Sequence, residues 1–256
     1  MRAWSGVGAA YAASYADLCA GTGDAIIRAL GPARSRPLLD VGSGTGALGA
    51  LLADAGWTVT GCEPEQTMRE VSALQHPELD VRDGALPSLP FPDASFDAVT
   101  ANFVINHVPD PRASASEMAR VAKADATLVA TIWTVSPSWF WAAVCERAGL
   151  TPRPGQRLPA DKDFERSATG FGRMLSEGGW HAVEVSEITW AWHAPVAALW
   201  ASAEGGVASA GAFYLALGAG DRELFRQAFD AYCEENAEDG AVILEHTAAV
   251  AVGRAR

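Results

Sequence analysis

The chain has 256 residues, of which 49% are hydrophobic and 20% are charged, and its formal net charge is −12. This length and apolar content suit one globular domain, so we expect residues 1–256 to form a single domain. The negative charge repels phosphate backbones and anionic lipid surfaces, so we expect neither a nucleic acid nor a membrane as partner.

The cysteine pattern gives no sign of a metal site or of a disulfide framework. The four cysteines are far apart and form no CxxC pair: Cys19, Cys62, Cys145 and Cys233. Free thiols are typical of a reducing compartment. The sequence also has no basic leader followed by a long apolar run, so we expect a cytoplasmic protein that binds no metal and works as a monomer or a homodimer.

Apolar spacing predicts alternating helices and strands along the first half of the chain. One face of an N-terminal helix is formed by Tyr11, Tyr15, Leu18 and Cys19, and Gly21 and Gly23 end that pattern. Strands are predicted at 37–41, 57–62, 79–82, 96–101 and 126–133, with helices between them. The last of these strands is continuously apolar, which is typical of a parallel sheet covered on both faces. The pattern therefore predicts a doubly wound α/β unit.

The second half of the chain has a different arrangement of predicted helices and strands. Helices are predicted at 139–148 and 164–175, after Pro195 and from Asp221, and strands at 183–192 and 241–252. In the first of these strands the apolar period slips by one at Ser186 and Glu187, which predicts a bulge there. We expect residues 1–133 to form an N-terminal lid helix and a cofactor-binding half, and residues 134–256 to form a substrate-pocket half with inserted helices.

The stretch LLDVGSGTG at 38–46 places bare backbone between a buried strand and a helix. A ligand can reach the free N–H groups of such a turn, and both NAD and an adenosyl cofactor fit the glycines. Asp40 would be unfavourable beside a pyrophosphate but suits an ammonium or sulfonium group. Glu63, after the next strand, can accept hydrogen bonds from the ribose of either ligand.

Three segments together carry a resemblance to a known family. They are LLDVGSGTGALG, VTGCEPEQTM and DGALPSLPFPDASFDAVTANFVINHVPDP, which lie in order between residues 38 and 109. The chain resembles the small-molecule branch of the class I methyltransferases that use S-adenosylmethionine, roughly over residues 38–133. The resemblance implies a Rossmann-like, mostly parallel seven-stranded sheet with helices on both faces. It also implies transfer of a methyl group from S-adenosylmethionine to a small-molecule acceptor by in-line displacement.

The resemblance also implies cofactor contacts, residue by residue. The matching positions are Asp40, Gly42, Gly44 and Gly46 for the methionine and ribose part, Glu63 for the ribose, Pro64 and Gln66 for the adenine, and Asn102 for the methionine amino group. Ala85 stands where many relatives have an adenine-binding Asp. We therefore expect Asp83, or the backbone of Ala85 and Leu86, to take that role. Tyr15 matches a tyrosine on the lid helix that reaches the cofactor carboxylate.

Candidates for the acceptor side are histidines and aromatic residues. His107 could take a proton from an acceptor hydroxyl or could cap a loop, and we predict the catalytic role. Trp133, Trp190 and His193 are predicted to contact the substrate, although alternate Trp residues also suit core packing. His246 lies on the apolar phase of the last strand, so we expect it in the core. The loop with Arg153, Arg157 and Lys162 could be a mobile flap that attracts an anionic substrate, but we expect a solvated connection.

Two other functions remain open from the sequence. One is an NAD(P)-dependent oxidoreductase, although that class gives no reason for Asp40. The other is a protein of the same fold that binds the cofactor without transferring methyl.

Overall fold

The computed structural model describes residues 4–136, 138–152 and 158–256. Seven strands form one sheet: β1 (Pro37–Val41), β2 (Thr58–Cys62), β3 (Asp80–Arg82), β4 (Phe96–Asn102), β5 (Ala122–Val135), β6 (His181–Pro195) and β7 (Ala241–Arg254). Their order across the sheet is β3-β2-β1-β4-β5-β7-β6. Strands β1 to β5 are parallel, and β7 is antiparallel to β5 and to β6. The predicted mostly parallel seven-stranded sheet is confirmed.

Helices connect the strands and cover both faces of the sheet. They are α1 (Gly8–Ala12), α2 (Tyr15–Ala20), α3 (Gly23–Leu30), α4 (Ala47–Asp54), α5 (Gln66–Gln75), α6 (Pro111–Val121), α7 (Ser138–Arg147), α8 (Ala168–Glu177), α9 (Val196–Glu204), α10 (Ala208–Leu215) and α11 (Ala219–Asn236). On one face α6 and α8 pack on the strands, and on the other α3 and α4 do so. Within the described part of the chain, no helix is both long and apolar enough to cross a lipid bilayer.

The N-terminal region differs from its prediction in two ways. The single predicted helix is divided into α1 and α2 at Ser14, whose Oγ donates to the carbonyl oxygen of Ala10 at 2.6 Å. Gly21 and Gly23 were expected to end the helical pattern; Gly21 is indeed the C-cap of α2, but Gly23 opens another helix, α3. Its residues Ile26 and Leu30 are buried in the core beneath the sheet. Burial of this short amphipathic face outweighs the weak helix propensity of glycine.

The predicted bulge at Ser186 and Glu187 is wrong. Both residues pair in unbroken register with β7, and the shift in register lies nearer the start of β6, between His181 and Glu184. The apolar period slips because β6 changes the face that it buries. Val183 and Val185 pack on one face of the sheet, whereas Ile188 packs on the other.

The strand order creates the place for a ligand. It reverses between β1 and β4, since β2 and β3 lie on one side of β1 while β4 and β5 lie on the other. In open parallel sheets, ligands bind in the crevice outside the carboxyl ends of the strands at such a switch point. Strand β1 ends at Val41, directly before the glycines, and β4 ends at Asn102.

Candidate active site

A cavity of about 740 Å³ lies beyond the carboxyl ends of the parallel strands. Its walls come from both halves of the chain. From residues 1–133 they include Tyr11, Gly42, Gly44, Glu63, Leu86, Asn102, His107 and Trp133, and from residues 134–256 Phe140, Trp141, Trp192, Phe213 and His246. Residues from the two predicted halves therefore line one common cavity.

The glycine loop brings backbone into the cavity at two of its three glycines. Gly42 and Gly44 have φ values of +66° and +55°, and both line the cavity. A Cβ on Gly42 would lie 2.4 Å from Cγ2 of Val104, so only glycine fits without a shift. Gly46 has φ +88° as the N-cap of α4, and a Cβ there would meet Oγ of Ser72 at 2.5 Å. Gly46 thus shapes the turn rather than the cavity wall.

Asp40 is a buried carboxylate at the base of this loop. It is 1% exposed, and its Oδ1 accepts a hydrogen bond from Oγ1 of Thr100 at 2.8 Å, whereas Oδ2 has no partner. Burial raises the pKa of Asp40 to about 7, and the hydrogen bond from Thr100 opposes that shift. Oδ2 therefore lacks a compensating donor or cation within the described residues, and a positively charged group of a ligand could supply one.

Glu63 holds the loop from the neighbouring strand. Its Oε2 accepts from the Gly44 amide at 3.0 Å and its Oε1 from the Glu65 amide at 2.9 Å. Burial raises the pKa of Glu63, and the two amide hydrogen bonds oppose that rise. Each oxygen keeps a free lone pair at the cavity wall, so the carboxylate can also accept from the two hydroxyls of a ribose.

The predicted adenine contacts divide into two sets. Pro64, Ala85 and Leu86 line the cavity. Asp83 is exposed and forms an ion pair with Arg69 at 3.2 Å, and Gln66 is exposed and donates to Oε1 of Glu70. The structure therefore brings the backbone positions at 85 and 86 to the cavity, but neither the Asp83 nor the Gln66 side chain.

Asn102 fastens the N-terminal helices to the end of β4. Its Nδ2 donates to the carbonyl oxygen of Cys19 at 2.9 Å, and its Oδ1 accepts from Thr22 and Thr131 at 2.8 and 2.6 Å. The next residue, Phe103, has φ +57°, an unusual value for a bulky side chain. Asn102 lines the cavity while its side chain is engaged in these hydrogen bonds.

Two tyrosines stand on the N-terminal helices, and they contact different walls. Tyr15 accepts a hydrogen bond from Nε1 of Trp141 at 3.2 Å and so joins α2 to α7. Tyr11 lies over the glycine loop, with its Cε1 3.6 Å from the position of a Cβ on Gly44. Burial, and next the nearby Cys19 thiol, hold the pKa of Tyr11 well above its usual value. Tyr11, which the sequence analysis did not select, is therefore the tyrosine closer to the glycines.

His107 stands at the edge of the cavity in a short 3-10 helix, Ile105–His107. Its ring packs edge-on against Trp4, with 5.1 Å between ring centroids, and remains accessible to water. The surrounding protein lowers the pKa of His107, so the imidazole is neutral near pH 7. It can accept a proton there, and its catalytic role stays a prediction.

The predicted substrate contacts are placed unequally. Trp133 lines the cavity and stacks on Phe103, with 3.7 Å between centroids and 7° between planes. Trp190 lies behind it, 5.4 Å from Trp133, and is not among the lining residues. His193 is exposed on the other face of the sheet from Trp192, because neighbouring strand residues point to opposite faces. The structure thus brings Trp133 to the cavity but not His193.

His246 is the lining residue that the sequence analysis placed in the core. It is 4% exposed, as that prediction requires, yet its ring also lines the cavity. The apolar pattern of β7 indicates burial, but it does not reveal that α7, α9 and α11 leave a space over this strand.

On the charged loop, Lys162 forms an ion pair with Asp110 at 3.1 Å, and Arg153 and Arg157 lie outside the described residues. Across the described ranges, no group of His, Cys, Asp or Glu could hold a metal ion.

The fold and the site together are those of a Rossmann-like methyltransferase, in which a ligand cavity lies over the glycine loop. A family model described as a methyltransferase domain matches residues 39–130. The demethylmenaquinone methyltransferase of Beutenbergia cavernae is 31% identical over 178 residues, which are 64% of this chain and 74% of that protein. The protein of the same name from Renibacterium salmoninarum is 36% identical over 104 residues, which are 41% of this chain and 44% of that protein.

The solved structures agree on the fold. The YcgJ protein from Bacillus subtilis superimposes with a TM-score of 0.60 at 18% identity, covering 92% of this chain and 98% of that one. This chain therefore belongs to the class I S-adenosylmethionine-dependent methyltransferases, whose cofactor is S-adenosylmethionine. The family and the cofactor predicted from the sequence are confirmed.

The residues present suit that cofactor. The unpartnered Oδ2 of Asp40 needs a positive group or a donor nearby, and Gly42 and Gly44 line the cavity with backbone that carries no side chain. Glu63 offers two oxygens at the spacing of adjacent hydroxyls. The donor set contains no cationic side chain for a pyrophosphate, since no Lys or Arg is among the described lining residues.

Proposed function

We propose that this chain transfers a methyl group from S-adenosylmethionine to a small, flat and largely apolar acceptor. One observation carries the proposal: a single cavity of about 740 Å³ joins the glycine loop and Glu63 to a set of aromatic side chains. Pockets of this size and lining suit a small organic molecule. The curated relatives named above carry demethylmenaquinone in their names, so a quinol is a reasonable first acceptor to try.

The cofactor-binding roles are assigned to residues that line or support the cavity. We propose that the backbone of Gly42 and Gly44 lies under the methionine and ribose part, that Glu63 accepts from the ribose hydroxyls, and that Asp40 faces the charged end. The bound cofactor supplies an activated methyl group on a positively charged sulfur. The chain has to orient the acceptor in line with that group and exclude water, because a displacement of this kind depends on alignment.

The lid is proposed to exclude water from the cavity. Trp4 and Tyr11 cover the glycine side, and Tyr15 accepts a hydrogen bond from Trp141 on the acceptor side. Helix α1 is attached to α5, because the Gly8 amide donates to Oγ1 of Thr67 at 3.1 Å. We further propose that the chain works in the cytoplasm as one domain, as a monomer or homodimer, without nucleic acid.

The first experiment is calorimetric titration with S-adenosylhomocysteine, with NAD as the parallel ligand. Wild type should bind S-adenosylhomocysteine and not NAD. Glu63→Gln keeps one acceptor oxygen and replaces the other with a donor, so we expect affinity to fall at least about tenfold, as for loss of one charge-assisted hydrogen bond. Glu70→Gln, exposed on α5, is the matched control and should bind like wild type.

Methyl transfer is then followed with methyl-labelled S-adenosylmethionine and a panel of quinols and phenols. Labelled product and S-adenosylhomocysteine should accumulate together. Binding of S-adenosylhomocysteine without turnover on any acceptor would support the non-transferring alternative, and binding of NAD alone would contradict the cofactor assignment in this chain.

A further inference from the structure

The residue of interest is His246, which lies on the acceptor side of the cavity. It pairs directly with Trp190 of β6, and the next pairs on that face are Trp192 with Leu244 and Trp133 with Ala248. Residues directly opposite each other on neighbouring strands share a face of the sheet. His246 therefore stands within a set of three indoles, with ring centroids 5.2, 6.0 and 6.2 Å from its own.

This set is close to the cofactor side of the cavity. Trp133, which touches His246, stacks on Phe103, and Phe103 directly follows Asn102 at the end of β4. His246 is thus two ring contacts from a residue that adjoins the proposed methionine position. No other histidine of the described chain is held inside the aromatic wall in this way, since His107 packs against Trp4 at the lid.

The hydrogen bonding of His246 fixes which nitrogen is free. Nδ1 lies 3.0 Å from the carbonyl oxygen of Leu244, and because a carbonyl can only accept, Nδ1 carries the hydrogen. In the neutral ring Nε2 then has a lone pair, and it makes no hydrogen bond within the described residues. Burial lowers the pKa of His246, although the bond to Leu244 opposes this, so the ring is neutral near pH 7.

The charges around this part of the cavity restrict the acceptor. Tyr15 of α2 and Cys145 of α7 are the nearby titratable lining groups, and Glu245 of β7 is exposed on the opposite face. None of the described lining residues is Lys or Arg, so this part of the wall offers an anionic acceptor no cationic side chain. Flat aromatic walls and one neutral base suit an uncharged aromatic ring that bears a hydroxyl group.

We propose that the acceptor is a neutral hydroxyarene that packs against the two indoles lining the cavity, Trp133 and Trp192, and that Nε2 of His246 takes its hydroxyl proton. This inference rests on the proposed function. The O–H bond breaks toward Nε2, the oxygen electron pair forms a bond to the transferred methyl carbon, and the electrons of the C–S bond remain on sulfur. The imidazolium then releases its proton to water. His246 is thereby a catalytic residue that the apolar pattern of β7 concealed.

The test compares His246→Asn with wild type on substituted 2-naphthols of increasing hydroxyl acidity. Asn can still donate to the Leu244 carbonyl but lacks the Nε2 base. We expect transfer to the least acidic naphthol to fall about 100- to 10,000-fold, and the loss to shrink as acidity rises because an ionised oxygen needs no base. Binding of 2-naphthol to the S-adenosylhomocysteine complex, read from tryptophan fluorescence, should weaken about tenfold.

Two controls make the result specific. His181→Asn alters a histidine at the other end of β6 and should behave like wild type, and His107→Asn tests the rival base. If His246→Asn lowers the rate of methyl transfer equally on every naphthol, His246 has a structural role and the proposal is wrong. The proposal is also wrong if only His107→Asn shows a loss of rate that depends on naphthol acidity. If S-adenosylhomocysteine binds but no naphthol binds or reacts, the acceptor class is wrong. If S-adenosylhomocysteine itself does not bind, the proposed function fails first.

Discussion

At the scale of single residues, two buried carboxylates dominate the electrostatics of the site. Asp40 and Glu63 both have pKa values raised by burial, but Glu63 holds two backbone amides while Asp40 leaves one oxygen without a partner. In the free protein this oxygen is a cost in stability that a ligand with a positive group can relieve.

Asp40 should make the stability of the free protein depend on pH. Between the usual aspartate pKa of about 4 and its folded value of about 7, the folded chain holds a proton that the unfolded chain has released. Stability therefore falls as pH rises through that range and levels off above it. In urea unfolding, we expect wild type to lose about 2 kcal/mol more than Asp40→Asn between about pH 5.5 and pH 8.5, at about 1.4 kcal/mol per pH unit.

A matched control is Asp54→Asn, which alters an exposed carboxylate at the end of α4 and should give the wild-type difference. Parallel pH curves for wild type and Asp40→Asn would show that Asp40 is already ionised in the folded protein. Asp40→Asn should also weaken binding of S-adenosylhomocysteine, because it removes the negative charge that we propose faces the ammonium group of the ligand.

At the scale of elements, the site depends on how the short N-terminal helices are attached. An isolated helix of five or six residues is unstable in water, so α1 and α2 exist only through their contacts. Asn102 bonds to Cys19 at the end of α2, Thr67 to Gly8, and Glu65 to the Gly6 amide at 3.0 Å. The lid is therefore an element that can loosen while the sheet remains folded.

Gly8→Ala should detach the lid without unfolding the sheet. A Cβ on Gly8 would lie 2.3 Å from the carbonyl oxygen of Thr67, which is backbone and cannot move aside cheaply. We expect the global thermal transition to change little and affinity for S-adenosylhomocysteine to fall about tenfold or more, as measured by calorimetry. Gly220→Ala is the control, because a Cβ there meets nothing within 4 Å. Unchanged affinity in Gly8→Ala would mean that the lid does not contribute to binding.

At the scale of the whole molecule, the cavity joins the two halves of the chain. Its walls come from the glycine loop and α2 on one side and from α7, α10 and α11 on the other. A ligand in this cavity would therefore contact both sets of elements and connect them. Occupation of the cavity should therefore stabilise the molecule globally and the lid locally.

We expect S-adenosylhomocysteine at about 100 times its Kd to add about 2.7 kcal/mol to the free energy of unfolding, because it binds only the folded chain. Hydrogen exchange should slow most in peptides that cover α1 and α2, whereas the central strands are already protected. NAD at the same concentration is the control and should change neither. Slower exchange confined to the glycine loop would mean that the lid does not close over the ligand.

The sequence by itself determined the strands of the first half and the glycine turn, and its resemblance to a known family indicated the complete sheet and the cofactor class. The strands and the turn depend on local patterns: an apolar run, glycines at positions of positive φ, an acid near the end of a strand (Asp40) and an acid directly after one (Glu63). A pattern of this kind fixes what one strand end presents to a ligand, whatever the rest of the chain does.

Only the tertiary structure decided which side chains share the cavity. It brought Tyr11 to the glycines and Tyr15 to Trp141, placed His193 on the opposite face, and brought His246 into the aromatic wall. The apolar period of a strand reports that a face is covered, and it reads the same whether the cover is tight packing or a ligand cavity. The space over β7 exists because helices distant in sequence are separated there. The residue pattern of β7 does not report that separation.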